Sequence, residues 1–172
     1  MSSVKKMVYL ALIISQALVL HYIEHFIPPL APGAKLGLAN IMTMVTLALF
    51  GFREAMAVVV IRSVLGPLLG GSPTSILYSL AGGILSCIIM GLLYFRLRKY
   101  FSLFGISTAG AVFHNIGQLL VASLIFNTIG ILYTYLPILM VSAVVTGNFT
   151  GLAAKYILHF LQKGKGISEL KN

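Results

Sequence analysis

Residues 75–95 read SILYSLAGGILSCIIMGLLYF, a run without a single charged side chain. About 20 predominantly apolar residues in an α-helix match the hydrocarbon core of a bilayer, which is ~30 Å thick. The run therefore predicts a membrane-spanning helix. The whole chain of 172 residues shares this character, because 59% of its residues are hydrophobic, 9% are charged and its mean hydropathy is +1.01. Soluble domains average about 25% charged residues, so we predict an integral membrane protein.

Five further apolar stretches, separated by polar residues, accompany this one. A segment inside the bilayer must satisfy its own backbone hydrogen bonds, so all six are predicted to be helical. The predicted fold class is an all-α integral membrane protein with six transmembrane helices in a single domain, residues 1–172. The second and third segments are short, and we do not expect them to cross the whole bilayer as straight rods. The predicted segments are 7–27, 36–51, 54–70, 75–95, 107–128 and 136–161.

Lysine and arginine positions predict the orientation of these helices. With six spans, nine basic residues fall on one side, whereas the opposite loops near 28–35, 71–74 and 129–135 hold only Lys35. Cytoplasmic loops are enriched in Lys and Arg, so both termini of this multi-pass cell-membrane protein are predicted to be cytoplasmic. The net charge of +9 is then explained by this topology and by attraction to anionic lipid headgroups, and it does not indicate nucleic-acid binding. The nine are Lys5, Lys6, Arg53, Arg96, Arg98, Lys99, Lys163, Lys165 and Lys171.

Residues 21–25 read HYIEH, a spacing with which some metalloproteases hold zinc and a general base on one helix. Such a site also needs a third protein ligand, usually an acid, and a water-filled cleft. The chain has no aspartate, and its other acids, Glu54 and Glu169, fall on the predicted cytoplasmic side. We therefore favour histidines at the headgroup level and a glutamate paired with a cation, and we predict no metal and no cofactor.

Arg62 lies in the middle of the third predicted span. An unpaired charge at that depth costs at least about 2.5–3.5 kcal/mol, so Arg62 needs a partner. Glu24 is the one acid predicted in the outer half of the protein and is our first choice, with Lys35 competing for the same carboxylate. The pair is either purely structural or, as intramembrane charges more often are, part of a pathway or pocket.

Three polar side chains cluster in the fifth predicted span, which contains GAVFHNIGQLLVAS. His114 and Gln118 are four residues apart and share a helix face, and Asn115 is adjacent to His114. Amide and imidazole groups supply both hydrogen-bond donors and acceptors. They either bind neighbouring helices or recognise a polar ligand, and we favour the ligand.

Small residues at helical spacing predict close packing between helices. Gly147 and Gly151 form such a pair in the sixth span. Ala11 and Ser15 form another in the first span, and this face is a candidate docking surface for a second membrane subunit. The single cysteine, Cys87, lies within an apolar run and is predicted to be core.

Five motifs of the chain carry a family resemblance: PGAKLGLAN (32–40), RSVLGPLLGG (62–71), SLAGGILSCIIM (79–90), GISTAGAVFHNIGQLLVA (105–122) and LPILMVSAVVTGNFTG (136–151). Together they resemble a family of bacterial membrane proteins labelled "heptaprenyl diphosphate synthase component I" or "Gx transporter". That family in turn resembles the substrate-binding S-components of energy-coupling factor (ECF) vitamin transporters. The resemblance implies six helices, cytoplasmic termini, an externally open ligand pocket and a small-residue face on the first helix that docks a transmembrane coupling subunit.

The two labels of this family make different chemical demands. Prenyl chain elongation needs aspartate-rich motifs that bind magnesium, and a chain without aspartate cannot supply them. We therefore do not expect an enzyme, and a role in prenyl synthesis would be that of a noncatalytic partner. The chain also lacks a GxxxxGK[ST] loop, so ATP-driven transport would require separate ATPase subunits.

Our prediction is an S-component-like subunit that binds a small polar or amphipathic molecule outside and delivers it inward with coupling and ATPase subunits. The excess of Lys35 and Arg62 over Glu24 favours a ligand with anionic character. Two alternatives remain open: a membrane accessory of polyprenyl diphosphate or quinone synthesis, and a component of a flavin- or quinone-linked electron-transfer system. The predicted pocket residues are Glu24, Lys35, Asn40, Arg62, His114, Asn115 and Gln118.

Overall fold

The computed structural model describes residues 3–24, 26, 37–70, 73 and 75–163. Within these residues the chain forms helices and connecting turns and contains no strand, so the all-α prediction is confirmed for them. Six helices follow one another, and each coincides with one predicted segment over most of its length. They are α1 (Ser3–Glu24), α2 (Leu38–Leu49), α3 (Phe52–Gly70), α4 (Ser75–Arg96), α5 (Leu103–Ile125) and α6 (Gly130–Lys163).

Four of these helices, α1, α4, α5 and α6, are long and apolar enough to cross a membrane. At 12 residues, α2 is about 18 Å long and shorter than the hydrocarbon core. The 19 residues of α3 are long enough, but the helix contains three charged side chains, Arg53, Glu54 and Arg62. Four helices therefore have the length and composition to cross a membrane, whereas α2 is too short and α3 carries charged side chains.

The short helix α2 lies in the interior of the bundle. Ten of its 12 residues, Leu38 to Leu47, are buried, because α1, α3 and α6 all pack against it. Its sequence, LANIMTMVTLAL, is apolar around almost its whole circumference, as expected for a helix enclosed by others. Asn40 is therefore carried into the interior near the beginning of α2.

The helices α4, α5 and α6 pack in sequence, and α5 lies between the other two. Gly117 of α5 lies directly against the backbone of α4, where a Cβ atom would stand 2.7 Å from the carbonyl oxygen of Ala81 and 2.8 Å from Gly82 Cα. Small residues permit this approach of two backbones. The close contact fixes the polar residues of α5 relative to the beginning of α4.

Apart from Arg62, the basic residues of the described chain collect at one end of the bundle. Lys6 of α1 makes an ion pair with Glu54 in the first turn of α3. The end of α4, the beginning of α5 and the last third of α6 meet around a cavity that includes Arg98 and Lys155. We call this the basic end, and it lies opposite the end where α1 and α3 finish and α2, α4 and α6 begin.

Candidate functional site

A cavity of about 450 Å³ lies at the end of the bundle opposite the basic end. Residues from all six helices line it. One part of its wall is polar and the other is apolar with two tyrosines. The polar side chains used below are His21, Glu24, Asn40, Arg62, His114 and Gln118, and the apolar and aromatic ones are Tyr78, Leu119, Ala122, Tyr135 and Leu139.

Arg62 supplies the permanent positive charge of this cavity. Its side chain is only 4% exposed, and its Nη2 atom donates a hydrogen bond of 2.7 Å to Asn40 Oδ1. The buried Nε atom has no hydrogen-bond partner among the described residues. Because buried donors are normally satisfied, this unsatisfied N–H is an exception within a residue that lines the cavity.

The predicted ion pair between Glu24 and Arg62 is wrong as a direct contact. The described ion pairs do not include it, and Arg62 is bound by the neutral amide of Asn40. Glu24 is buried and still acts on Arg62 electrostatically. Lys35, the predicted competitor for Glu24, lies outside the described residues.

Glu24 is held instead by the beginning of α2. Its carboxylate accepts a hydrogen bond from the backbone N–H of Gly37, the N-cap residue of α2. Gly37 has φ of 67° and ψ of 33°, a left-handed conformation that glycine adopts without the steric cost of a Cβ atom. A negative charge at a helix N-terminus is favourable by about 0.3–1 kcal/mol. Glu24 thus ties the end of α1 to the beginning of α2.

His21 lies in the same wall, one turn before Glu24 on α1. It is buried, and its ring packs against Gly66 of α3, where a Cβ atom would stand 2.8 Å from His21 Cδ2. The sequence interpretation placed His21 at the headgroup level and did not include it among the pocket residues. The signal for it was the spacing of three residues from Glu24, which places both side chains on one helix face.

The polar residues of α5 divide between two roles. His114 and Gln118 line the cavity, as their shared helix face predicts. Asn115 does not line it, because its Nδ2 donates a hydrogen bond of 3.0 Å to the carbonyl oxygen of Leu139 on α6. Of the seven predicted pocket residues, the structure brings five together in one wall: Glu24, Asn40, Arg62, His114 and Gln118.

A comparison with protein families adds an independent finding. The model of the family described as heptaprenyl diphosphate synthase component I matches residues 13–157. The chain belongs to this family. The resemblance noted in the sequence is therefore confirmed at the level of this family, whereas the likeness to ECF S-components stays a prediction. A search of curated proteins finds no significant match.

The family match extends from the middle of α1 to the last turns of α6, so it includes all five predicted residues in the cavity wall. In this member of the family, the lining of the cavity includes one guanidinium, one carboxylate, two imidazoles and two amides. Such groups recognise a ligand by charge and directional hydrogen bonds. The described residues contain no group of three His, Cys, Asp or Glu side chains suited to a metal ion, and His25 of HYIEH lies outside them.

The predicted docking residues lie away from the cavity. Ala11 and Ser15 are both on an exposed face of α1, and Ser15 Oγ donates a hydrogen bond of 2.9 Å to the carbonyl oxygen of Ala11. Because the serine hydroxyl is satisfied within its own helix, this face presents small side chains and little unpaired polarity. Its role in docking a second subunit stays a prediction.

Proposed function

We propose that this chain is the substrate-binding membrane subunit of an uptake system, and that its cavity takes up a small polar or amphipathic molecule with an anionic group. The observation that carries this proposal is the position of Arg62, a buried cation in the lining of a cavity, one of whose donors, Nε–H, has no protein partner in the described chain. The volume of about 450 Å³ falls in the range of small-molecule sites, roughly 300–1,000 Å³.

The energetics of Arg62 support an anionic ligand. Burying a guanidinium is costly unless its donors are satisfied, and Asn40 satisfies one nitrogen without neutralising the charge. A ligand carboxylate or phosphate that accepts from the Arg62 guanidinium would form a charge-assisted hydrogen bond, which contributes about 1.5–3 kcal/mol. The apolar part of the wall, with Tyr78 and Tyr135, would then contact the remainder of the ligand.

The charge distribution supports a direction for uptake. The Lys and Arg residues of the basic end would face the cytoplasm, so both termini would be cytoplasmic and the cavity would open outward. Delivery inward would require coupling and ATPase subunits, for which the exposed Ala11 and Ser15 face of α1 is our proposed docking surface. In this proposal the chain itself is not an enzyme.

The test is ligand retention by the purified protein. The chain is isolated gently from its native membrane, and native mass spectrometry then identifies small molecules that remain bound. We expect an anionic or zwitterionic molecule on the wild type and its loss from Arg62→Gln. Arg53→Gln is the matched control, because it removes the same charge from the exposed beginning of the same helix. Equal retention by all three proteins would refute the proposal.

A second candidate function is a noncatalytic membrane accessory of heptaprenyl diphosphate synthesis. The name of the matched family supports it, since that name describes one component of a synthase. It predicts that a soluble, aspartate-rich synthase subunit copurifies with the chain, whereas the uptake proposal predicts copurification of membrane coupling and ATPase subunits. Identification of the proteins that accompany the chain from native membranes separates the two.

A further inference from the structure

A second cavity of about 450 Å³ lies at the basic end of the bundle, opposite the cavity that Arg62 lines. It lies between the end of α4, the beginning of α5 and the last third of α6. The exposed basic side chains of Arg98 and Lys155 and the exposed imidazole of His159 line it, together with the tyrosines Tyr94 and Tyr156. None of the described residues that line it is acidic.

The two cations of this cavity are held by neutral groups. Arg98 Nη1 donates a hydrogen bond of 2.8 Å to the carbonyl oxygen of Phe101, and its guanidinium lies 5.6 Å from the centre of the Tyr94 ring. Lys155 Nζ lies 5.5 Å from the centre of the Phe104 ring. These contacts orient the side chains without neutralising them.

The acids of the protein do not compensate these charges in the described chain. Glu24 lines the other cavity, and Glu54 makes an ion pair with Lys6. The third acid, Glu169, lies outside the described residues. Leu103, the first residue of α5, also lines the basic cavity, and the N-terminus of a helix favours negatively charged groups.

We propose that the basic cavity binds a phosphate group. Two cations and an imidazole, beside two tyrosine side chains, offer a phosphate both charge and directional donors, and a helix N-terminus favours the same ligand. Basic pockets between helices on the cytoplasmic side of membrane proteins bind phospholipid headgroups. The shared chemistry is a phosphate ester or diphosphate, supplied by a lipid headgroup or by a free molecule. The inference does not depend on the Arg62 cavity.

The experiment has two arms that distinguish these sources. In the first, the purified chain is reconstituted with phosphatidylglycerol or with phosphatidylcholine, released, and analysed by native mass spectrometry for retained lipid. In the second, inorganic diphosphate is added to the detergent-solubilised protein, and bound diphosphate and the midpoint of thermal unfolding are measured. Arg98→Gln and Lys155→Gln are compared with Lys163→Gln, which removes one charge from the same end of α6 outside the cavity.

We expect retention of phosphatidylglycerol but not phosphatidylcholine, or binding of diphosphate, or both. The affinity falls about tenfold in Arg98→Gln and Lys155→Gln, as expected when one charge-assisted hydrogen bond is lost, and is unchanged in Lys163→Gln. Equal weakening by Lys155→Gln and Lys163→Gln would show a diffuse surface charge and overturn the proposal. Absence of both lipid and diphosphate binding to the wild type would also overturn the proposal. It would do so even if Arg98→Gln or Lys155→Gln caused the loss of a bound partner protein.

Discussion

Replacing Gly117 by alanine tests the close contact between α4 and α5 that builds one wall of the candidate site. The new Cβ atom would stand 2.7 Å from the carbonyl oxygen of Ala81, whereas ordinary van der Waals contact begins at 3.4 Å. The atom that the new Cβ meets belongs to the backbone and cannot rotate away. The two helices must therefore move apart by about 0.7 Å to relieve the overlap. Overpacking of this kind costs about 1–3 kcal/mol.

The assay is thermal unfolding of the purified protein in detergent, combined with retention of the bound small molecule. We expect Gly117→Ala to unfold at a lower temperature and to hold the ligand more weakly, because His114 and Gln118 shift relative to Tyr78. Gly130→Ala is the matched control, since its Cβ atom would meet Thr128 Cγ2 at 3.5 Å, an ordinary contact. If the two variants unfold at the same temperature, the tight α4–α5 packing is refuted.

Three further substitutions separate stability from binding. Asn40→Ala removes the partner of Arg62 and should destabilise the protein by about 1–3 kcal/mol, measured by thermal unfolding, with ligand retention also reduced; unchanged stability would contradict the buried hydrogen bond. Asn115→Ala removes the hydrogen bond to Leu139 and should lower the free energy of unfolding by about 1 kcal/mol. Ligand retention, measured by native mass spectrometry, should be unchanged, and loss of the ligand would show that Asn115 belongs to the pocket. Lys6→Gln breaks a partly exposed ion pair with Glu54, so we expect a change of at most about 1 kcal/mol, and a larger drop in the unfolding midpoint would be unexpected.

The sequence predicted the helices well where apolar residues run without interruption. Residues 75–95 correspond closely to α4, since hydropathy alone determines such a helix. The beginning of α6 was predicted six residues too late, at 136, because GILYTY before it is rich in polar and tyrosine side chains. The beginning of α5 at Leu103 is set by a local cap, in which Ser102 Oγ accepts a hydrogen bond from the N–H of Gly105.

The candidate site could be predicted only in part. Charge and helical spacing selected Arg62, Glu24 and the shared face of His114 and Gln118. The partner of Arg62 was mispredicted, because a Coulomb argument favours a carboxylate over a neutral amide. Only the path of the chain shows that Asn40 reaches Arg62 while Glu24 binds the beginning of α2.

Adjacency in sequence misled the assignment of Asn115. Consecutive helical residues point about 100° apart, so Asn115 faces α6 when His114 faces the cavity. Tyr78 and Tyr135 were not predicted for a different reason. Tyr78 lies in the first turn of α4 and Tyr135 in the second turn of α6, and no periodic pattern in the sequence places either residue beside Arg62.

The most direct test of the proposed binding role is an experimental structure of the chain with the small molecule that it retains from its native membrane. We predict a ligand in the cavity with an anionic oxygen about 2.7–3.2 Å from a guanidinium nitrogen of Arg62. A ligand located elsewhere, or a protein carboxylate bound to the Arg62 guanidinium in its place, would contradict the account.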